Sequence, residues 1–322
     1  MHDGNEKHKK EKVLNNIIKY KSALILLLLC VVVSILSPRF FNWTNAMNIV
    51  RQTTTNGIIA MGMACVIITG GIDLSVGSVL AFSTLITGLM INSGLPGLAA
   101  GTLGILLGGI IGILSGILIA ELELPPFIVT LASMSVFRGF TMLCSGGMPV
   151  GLQNKISFIG AGYIGPVPFP AIVLVIVFLI LWFIMNKTKF GRHIYAVGGN
   201  EQTARLAGIN VKKIKILVYG MSGILSALSG IIIASRLNSA QPDAGNGYEM
   251  DAIAAAVIGG CSMSSGGIGT MGGVIIGSFI IGVLNNALNL LNVSPFWQTS
   301  VKGFVILAAI IIDRMTTRVK KA

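Results

Sequence analysis

Ionisable and amide side chains are rare in the long apolar stretches of this 322-residue chain, so each one found there is informative. Asp73 stands in Gly70-Gly71-Ile72-Asp73-Leu74-Ser75-Val76-Gly77, between two apolar runs. An acid at membrane depth costs about 2.5–3.5 kcal/mol on insertion scales and marks a functional position by default. Gly-Gly followed by Asp, Ser and Gly also reads as a helix break with a capped restart. Asp73 and Ser75 therefore either cap the restart at an interface or line a polar path. Asn285, Asn286 and Asn289 recur at i, i+1 and i+4, which puts them on one stripe of a helix. Unpaired amides facing lipid are not tolerated, so these residues bond neighbouring helices or line a wet path for a hydroxyl-rich solute. Asn56, Thr130 and Gln52 are weaker members of the same set, and the path candidates are Asn56, Asp73, Ser75, Thr130, Asn285 and Asn289. Arg138 and Arg236 are expected to neutralise acids or to sit at the outer interface.

Other chemistries fail on residue types. His2, His8 and His193 all lie outside the apolar runs, so no histidine-dependent catalytic or metal site is expected within a membrane. Cys30, Cys65, Cys144 and Cys261 are scattered without a CxxC and read as small packed hydrophobes. No GxxxxGK[ST] loop occurs, so no nucleotide is held by a Walker motif. A membrane aspartyl protease would need a second intramembrane acid in a Gly-x-Gly-Asp context; Asp251, expected near the outer surface, lacks it. No serine has a base beside it. We expect no catalytic residue, cofactor or metal.

These residues must be positioned by membrane helices. A mean hydropathy of +0.85, with 53% hydrophobic and 11% charged residues, excludes an ordinary soluble domain. Repeated apolar runs of about 20 residues mark an all-α polytopic membrane protein. Ten transmembrane helices are expected: 22–36, 52–69, 78–91, 97–120, 127–144, 171–185, 214–234, 250–260, 272–291 and 296–312, several broken by glycine. The eighth is too short to span unaided at about 1.5 Å per residue. The glycines of 97–120 read as close helix packing. The first run also resembles a signal peptide, but no small-residue cleavage pair is convincing, and it reads as an uncleaved anchor.

Charge sets the orientation. Six Lys lie in residues 1–21, seven Lys and Arg between Lys187 and Lys215, and Arg314, Arg318, Lys320 and Lys321 at the other end. Seventeen of the 23 basic residues thus fit cytoplasmic anchoring beside anionic lipid headgroups rather than nucleic acid. Both termini and the 186–215 loop are expected inside, and six crossings from an inside N-terminus return the chain there. The domains are then a basic tail 1–21, a membrane domain 22–313 and a basic tail 314–322. Within the loop, Asn200 can cap a helix that Gly208 ends in a left-handed turn, so a single cytosolic helix of about two turns is expected. Such a helix is unstable alone in water, so the loop either meets a partner surface or is a solvated connector that obeys the positive-inside rule. Glu201, Arg205 and Leu206 would point outward. Val66–Gly71 echoes Ala256–Gly260, and Pro126–Thr130 echoes Pro295–Thr299, as in a duplicated transporter, although the second pair faces opposite sides in this count.

Three stretches carry a family resemblance: Gly70–Gly77, Gly198–Ile209 (Gly-Gly-Asn-Glu-Gln-Thr-Ala-Arg-Leu-Ala-Gly-Ile), and Ser239–Ile253. They resemble the monosaccharide-importer permeases of bacterial ABC systems, ribose-type subunits most closely, from about residue 40 to Asp313. The resemblance implies a subunit of the inner membrane, a second permease copy, a cytosolic sugar-type ATPase and an extracytoplasmic sugar-binding protein. It implies that Gly199, Asn200, Glu201, Arg205, Leu206, Gly208 and Ile209 belong to a helix that couples to the ATPase. Asp243 departs from the ribose-type pattern, where a Thr is common, and leaves open ribose, other pentoses and furanose-like signals. The alternative is a stand-alone secondary carrier or channel, which would want paired ionisable groups deep in its spans; Lys302 is the one basic candidate for such a relay.

Overall fold

The computed structural model describes residues 22–321; the basic tail 1–21 lies outside the described residues. The chain is organised around α2 (Trp43–Ile68), in which every residue from Thr53 to Ile68 is buried. Its apolar residues are not confined to one face, as befits a helix surrounded by protein. Asn42 caps it, accepting from the Thr44 N–H at 3.0 Å. Helix α1 (Ser22–Leu36) precedes it. After the Gly70–Ser75 break come α3 (Val76–Asn92), α4 (Gly97–Glu121) and α5 (Pro126–Ser145). A loop follows, containing β1 (Val150–Gly151), α6 (Ser157–Ala161), β2 (Tyr163–Ile164) and β3 (Val167–Pro168), and then α7 (Phe169–Lys187). Two helices, α8 (Lys189–Gly199) and α9 (Glu201–Leu206), form a basic end before α10 (Val211–Leu237). Strand β4 (Ser239–Ala240), α11 (Tyr248–Ile258), α12 (Met271–Leu290) and α13 (Pro295–Lys321) complete the chain.

Helices α10, α12, α11 and α7 pack around α2, while α4 lies along α10 and α3 sits between α4 and α5. The glycines of α4 pack as expected: a Cβ on Gly112 would lie 2.2 Å from the Tyr219 carbonyl oxygen of α10. Among the described residues, α4, α5, α7, α10 and α12 are long and apolar enough to cross a membrane, and α1 and α3 are shorter apolar helices. The chain is a helical, multi-pass membrane protein.

Three features depart from expectation. The basic loop holds two helices rather than one, because Thr188 caps α8 and Ile194 and Val197 are buried against the bundle. The loop between α5 and α7 is tied across the chain by β1 and β4, with Val150 opposite Ala240 in an antiparallel pair. And the polar segment before α11 does not stay at the end of the bundle. Gly77, at the start of α3, touches Gly245 (φ 75°) backbone to backbone, and a Cβ on Gly77 would lie 2.2 Å from the Gly245 carbonyl oxygen. This inward fold explains how an 11-residue α11 suffices where a full crossing would need about 20 residues.

Candidate functional site

Among the described residues two acids, Asp73 and Asp251, are buried, and they are built differently. Asp73 is 2% exposed, and each of its oxygens is occupied. Oδ1 accepts from the Ser75 N–H (3.0 Å) and Ser75 Oγ (2.6 Å), and Oδ2 from Ser222 Oγ (2.7 Å) of α10. At about 1.5 Å per residue, Ser222 lies roughly 16 Å along α10 from Val211, well inside the bundle. The neighbouring Ile72 carbonyl accepts from Tyr219 Oη (3.2 Å) and from Thr130 Oγ1 (3.4 Å). Asp73, Ser75 and Thr130 therefore come together, but as a clamp that fixes the break between α2 and α3 to α10 and α5. Ser222 and Tyr219 were not legible as its partners.

Asp251, expected near the outer surface, is also 2% exposed. Its Oδ2 accepts from Lys302 Nζ (2.9 Å), Asn285 Nδ2 (3.3 Å) and Asn56 Nδ2 (3.4 Å). Four helices thus meet at one carboxylate oxygen, and two predicted path residues, Asn56 and Asn285, are in it. Asn289 is not: it is exposed and accepts from Gln298 Nε2 at 2.9 Å. Asn286 turns to a third partner, exchanging hydrogen bonds of 2.7 and 3.0 Å with Asn45 of α2. Asn286 parts from Asn285 because adjacent residues on a helix point about 100° apart, whereas Asn289, on the same side as Asn285, lies exposed in the last turn of α12. Among the described residues Arg138 forms no ion-pair contact with an acid; its Nη1 donates to the Pro242 (2.9 Å) and Ala244 (2.8 Å) carbonyls and holds the infolded segment to α5.

At the basic end the capped helix is as expected. Asn200 Oδ1 accepts from the Thr203 N–H at 2.9 Å, and Gly208 (φ 80°) closes α9 as the Ile209 N–H reaches the Ala204 carbonyl at 3.1 Å. Leu206 is 90% exposed. Glu201 and Arg205, expected to point outward and free, are instead bonded to each other at 2.7 Å, with Lys215 Nζ also 2.7 Å from Glu201. They are four residues apart on one helix, the spacing at which opposite charges meet. Partial burial would raise the Glu201 carboxyl, but the Lys215 and Arg205 bonds outweigh it and hold it below its ordinary range.

Gly199 ends α8, and its neighbour Gly198 makes the tightest contact of this region. A Cβ on Gly198 would lie 1.7 Å from the Ile68 carbonyl oxygen at the end of α2. That same oxygen accepts from the Gly267 N–H at 2.8 Å, and Tyr195 Oη donates to the Gly269 carbonyl at 2.9 Å. The end of α2, the loop before α12 and the end of α8 thus join backbone to backbone. Beside this junction lies a cleft of about 500 Å³ lined by Gly70, Gly71, Pro126, Gln202, Lys215 and Tyr219. It shares Tyr219 with the Asp73 clamp. The echoing breaks at Gly70-Gly71 and Gly259-Gly260 lead into the same junction.

Several known proteins are similar to this chain along nearly its whole length. The ribose import permease protein RbsC of Bacillus subtilis is 50% identical over 292 residues, covering 90% of each chain. The ribose import permease protein RbsC of Escherichia coli is 46% identical over 302 residues, covering 92% of this chain and 94% of that one. The L-arabinose transport system permease protein AraH of Escherichia coli is 39% identical over 308 residues, covering 94% and 92%. No solved structure matches the chain. Residues 45–311 match the family described as branched-chain amino acid transport system / permease component, which takes in α2 through most of α13 with the clamp, the Asp251 cluster and the basic end, and the chain belongs to that family of transport permeases.

Proposed function

We propose that this chain is the membrane-spanning permease subunit of an ATP-driven importer for ribose or a related pentose, in the bacterial cytoplasmic membrane. Its relatives carry ribose and L-arabinose permease names over nine-tenths of their length. The basic end faces the cytoplasm, since Lys and Arg resist translocation. Ten crossings with both termini inside then fit the helices, with 22–313 as the permease domain, 186–215 as its coupling loop, and 1–21 and 314–322 as basic tails beside anionic lipid. A separate cytosolic ATPase supplies the hydrolysis, an extracytoplasmic sugar-binding protein delivers the solute, and a second permease copy completes the path. This chain contributes no catalytic residue.

The observation that carries this reading is Leu206. It is 90% exposed at the tip of a helix whose cap, stop and charges are already satisfied internally. A large apolar side chain so presented at a basic, water-facing end fits a partner that covers it. Gly199, Asn200, Glu201, Arg205, Gly208 and Ile209 shape the presentation. Movement of α9 passes through α8 to the Gly198 junction, where both glycine breaks end, and so to the Asp73 clamp. Coupling thus needs no long-range signal, only rigid α8 and a backbone contact with no side chain to cushion it.

Burying a Leu contributes about 1.5–3 kcal/mol, so Leu206→Ser should weaken ATPase association by about 10- to 150-fold. Purified variant should unfold at the wild-type temperature yet lose its ATPase on size exclusion. If Leu206→Ser retains the ATPase and imports sugar normally, α9 is a solvated connector and the coupling role falls. The second reading, a stand-alone carrier, is favoured by one observation: Asp251 and Lys302 are a charged pair within the bundle. Uptake by proteoliposomes containing this chain alone would support it.

A further inference from the structure

The Asp251 cluster is satisfied on one side only. All three donors, Lys302, Asn285 and Asn56, converge on Oδ2. Among the described residues, Oδ1 of Asp251 receives no hydrogen bond. Two polar atoms nearby are buried and unpartnered: Asn285 Oδ1, and Thr53 Oγ1 one turn before Asn56 on α2. Thr53 faces α12 at Gly282, one turn before Asn285. An arrangement serving stability alone looks different in this same protein. Asn45 and Asn286 exchange both hydrogen bonds reciprocally, and both oxygens of Asp73 are taken. The cluster is also not sealed, because the Lys302 side chain is 27% exposed and Asn285 only half-buried.

We infer that Asp251 and Asn285 form an intramembrane station that accepts hydrogen bonds from the hydroxyls of a crossing neutral polyol, with Lys302 as the partner that holds Oδ2 and leaves Oδ1 to the solute. The unfilled positions are acceptors, so the ligand must bring donors. Vicinal hydroxyls fit, and an anion such as a sugar phosphate does not, because Asp251 repels it. Thr53 Oγ1, which can donate or accept, completes the site for a third hydroxyl. A buried acceptor left unpaired penalises an analogue that lacks the matching hydroxyl, so the station also discriminates. The inference rests on the import reading above.

The test uses the assembled transporter, with its ATPase and binding protein, in proteoliposomes. Asp251→Asn, Lys302→Met and the charge-neutral double variant are compared for thermal unfolding, ATPase rate and uptake of ribose and 2-deoxyribose. A purely structural ion pair predicts that the double variant recovers both stability and uptake. The station predicts recovered stability with uptake still at least tenfold below wild type, and a ribose preference over 2-deoxyribose smaller than in wild type. Asn285→Leu, which leaves the ion pair intact, should lower uptake severalfold in protein that still assembles, with no larger fall in unfolding temperature than one lost interhelical hydrogen bond gives. Uptake within twofold of wild type in the double variant or in Asn285→Leu overturns the inference. Failure of the wild-type assembly itself to import either sugar overturns the import reading, and the station with it.

Discussion

Gly198 and Gly199 stand side by side at the end of α8 and offer a sharp test of the backbone junction. A Cβ on Gly198 would sit 1.7 Å from the Ile68 carbonyl oxygen and 2.5 Å from the Gly267 nitrogen, whereas a Cβ on Gly199 would meet nothing within 4 Å. Ordinary contact requires more than 3 Å, so Gly198→Ala must push α8 away by over an ångström or break the Gly267 to Ile68 hydrogen bond. Overpacking of this kind costs about 1–3 kcal/mol. The lost hydrogen bond adds about 0.5–1.5 kcal/mol. Alanine returns about 0.5–1 kcal/mol of helix propensity, so the net loss is roughly 1–3.5 kcal/mol. Gly199→Ala carries only the gain. In detergent, Gly198→Ala should unfold several degrees below wild type and Gly199→Ala at or slightly above it. In the assembled transporter, Gly198→Ala should keep its ATPase bound, because α9 is unaltered, while hydrolysis no longer drives uptake. Equal unfolding temperatures for the two variants would refute the close-packed junction. Normal uptake by Gly198→Ala would refute its part in coupling.

Three further outcomes are expected. In a cysteine-free background, a cysteine at Ala161 should react with an impermeant maleimide from outside intact cells and one at Gln202 should not; the reverse would overturn the orientation. Asn45→Leu or Asn286→Leu should lower stability by about 0.6–2 kcal/mol through the lost interhelical pair, while the protein that assembles imports sugar at the wild-type rate. Glu201 is held below its ordinary value of 4.5, so its contribution is present above that value and lost as pH falls below it. The Glu201 side chain is 35% exposed and that of Arg205 51%, so the gap in unfolding temperature between wild type and Glu201→Gln should be small, reflecting about 0.2–1 kcal/mol at neutral pH, and should vanish in acid; a gap that persists at low pH would exclude the ion pairs as its cause.

What could be read from the chain was whatever is local. Apolar run lengths located the helices to within a few residues, except that α2 begins nine residues before Gln52 and α13 continues to Lys321. Asn200 and Gly208 marked the ends of α9 because a cap and a left-handed stop depend only on neighbouring residues. Helix α8 was missed, since Lys-Phe-Gly-Arg-His-Ile-Tyr-Ala-Val-Gly-Gly has three glycines and forms a helix only by burying Ile194 and Val197. Pairings across the bundle were hidden for a different reason. Asp251 and Lys302 were both visible as ionisable residues in apolar runs, but 51 residues of sequence separate them and no local rule joins them. The infolding of Gly245 onto Gly77 depends on two backbones meeting, which side-chain periodicity does not report.

The central place of α2 has a consequence for how the protein is made. Asn56 leaves the ribosome 195 residues before its partner Asp251, and Asn45 comes 241 residues before Asn286. At about 5–20 residues per second, that is roughly 10 to 50 seconds in which a polar helix waits in or beside the membrane for neighbours that do not yet exist. Its run Thr53-Thr54-Thr55-Asn56 makes early release into lipid costly. Helix α2 must therefore be sheltered by the insertion machinery, or pass back and forth, until α10 through α12 arrive. A nascent chain stalled before Lys302 would also hold Asp251 without its counter-charge.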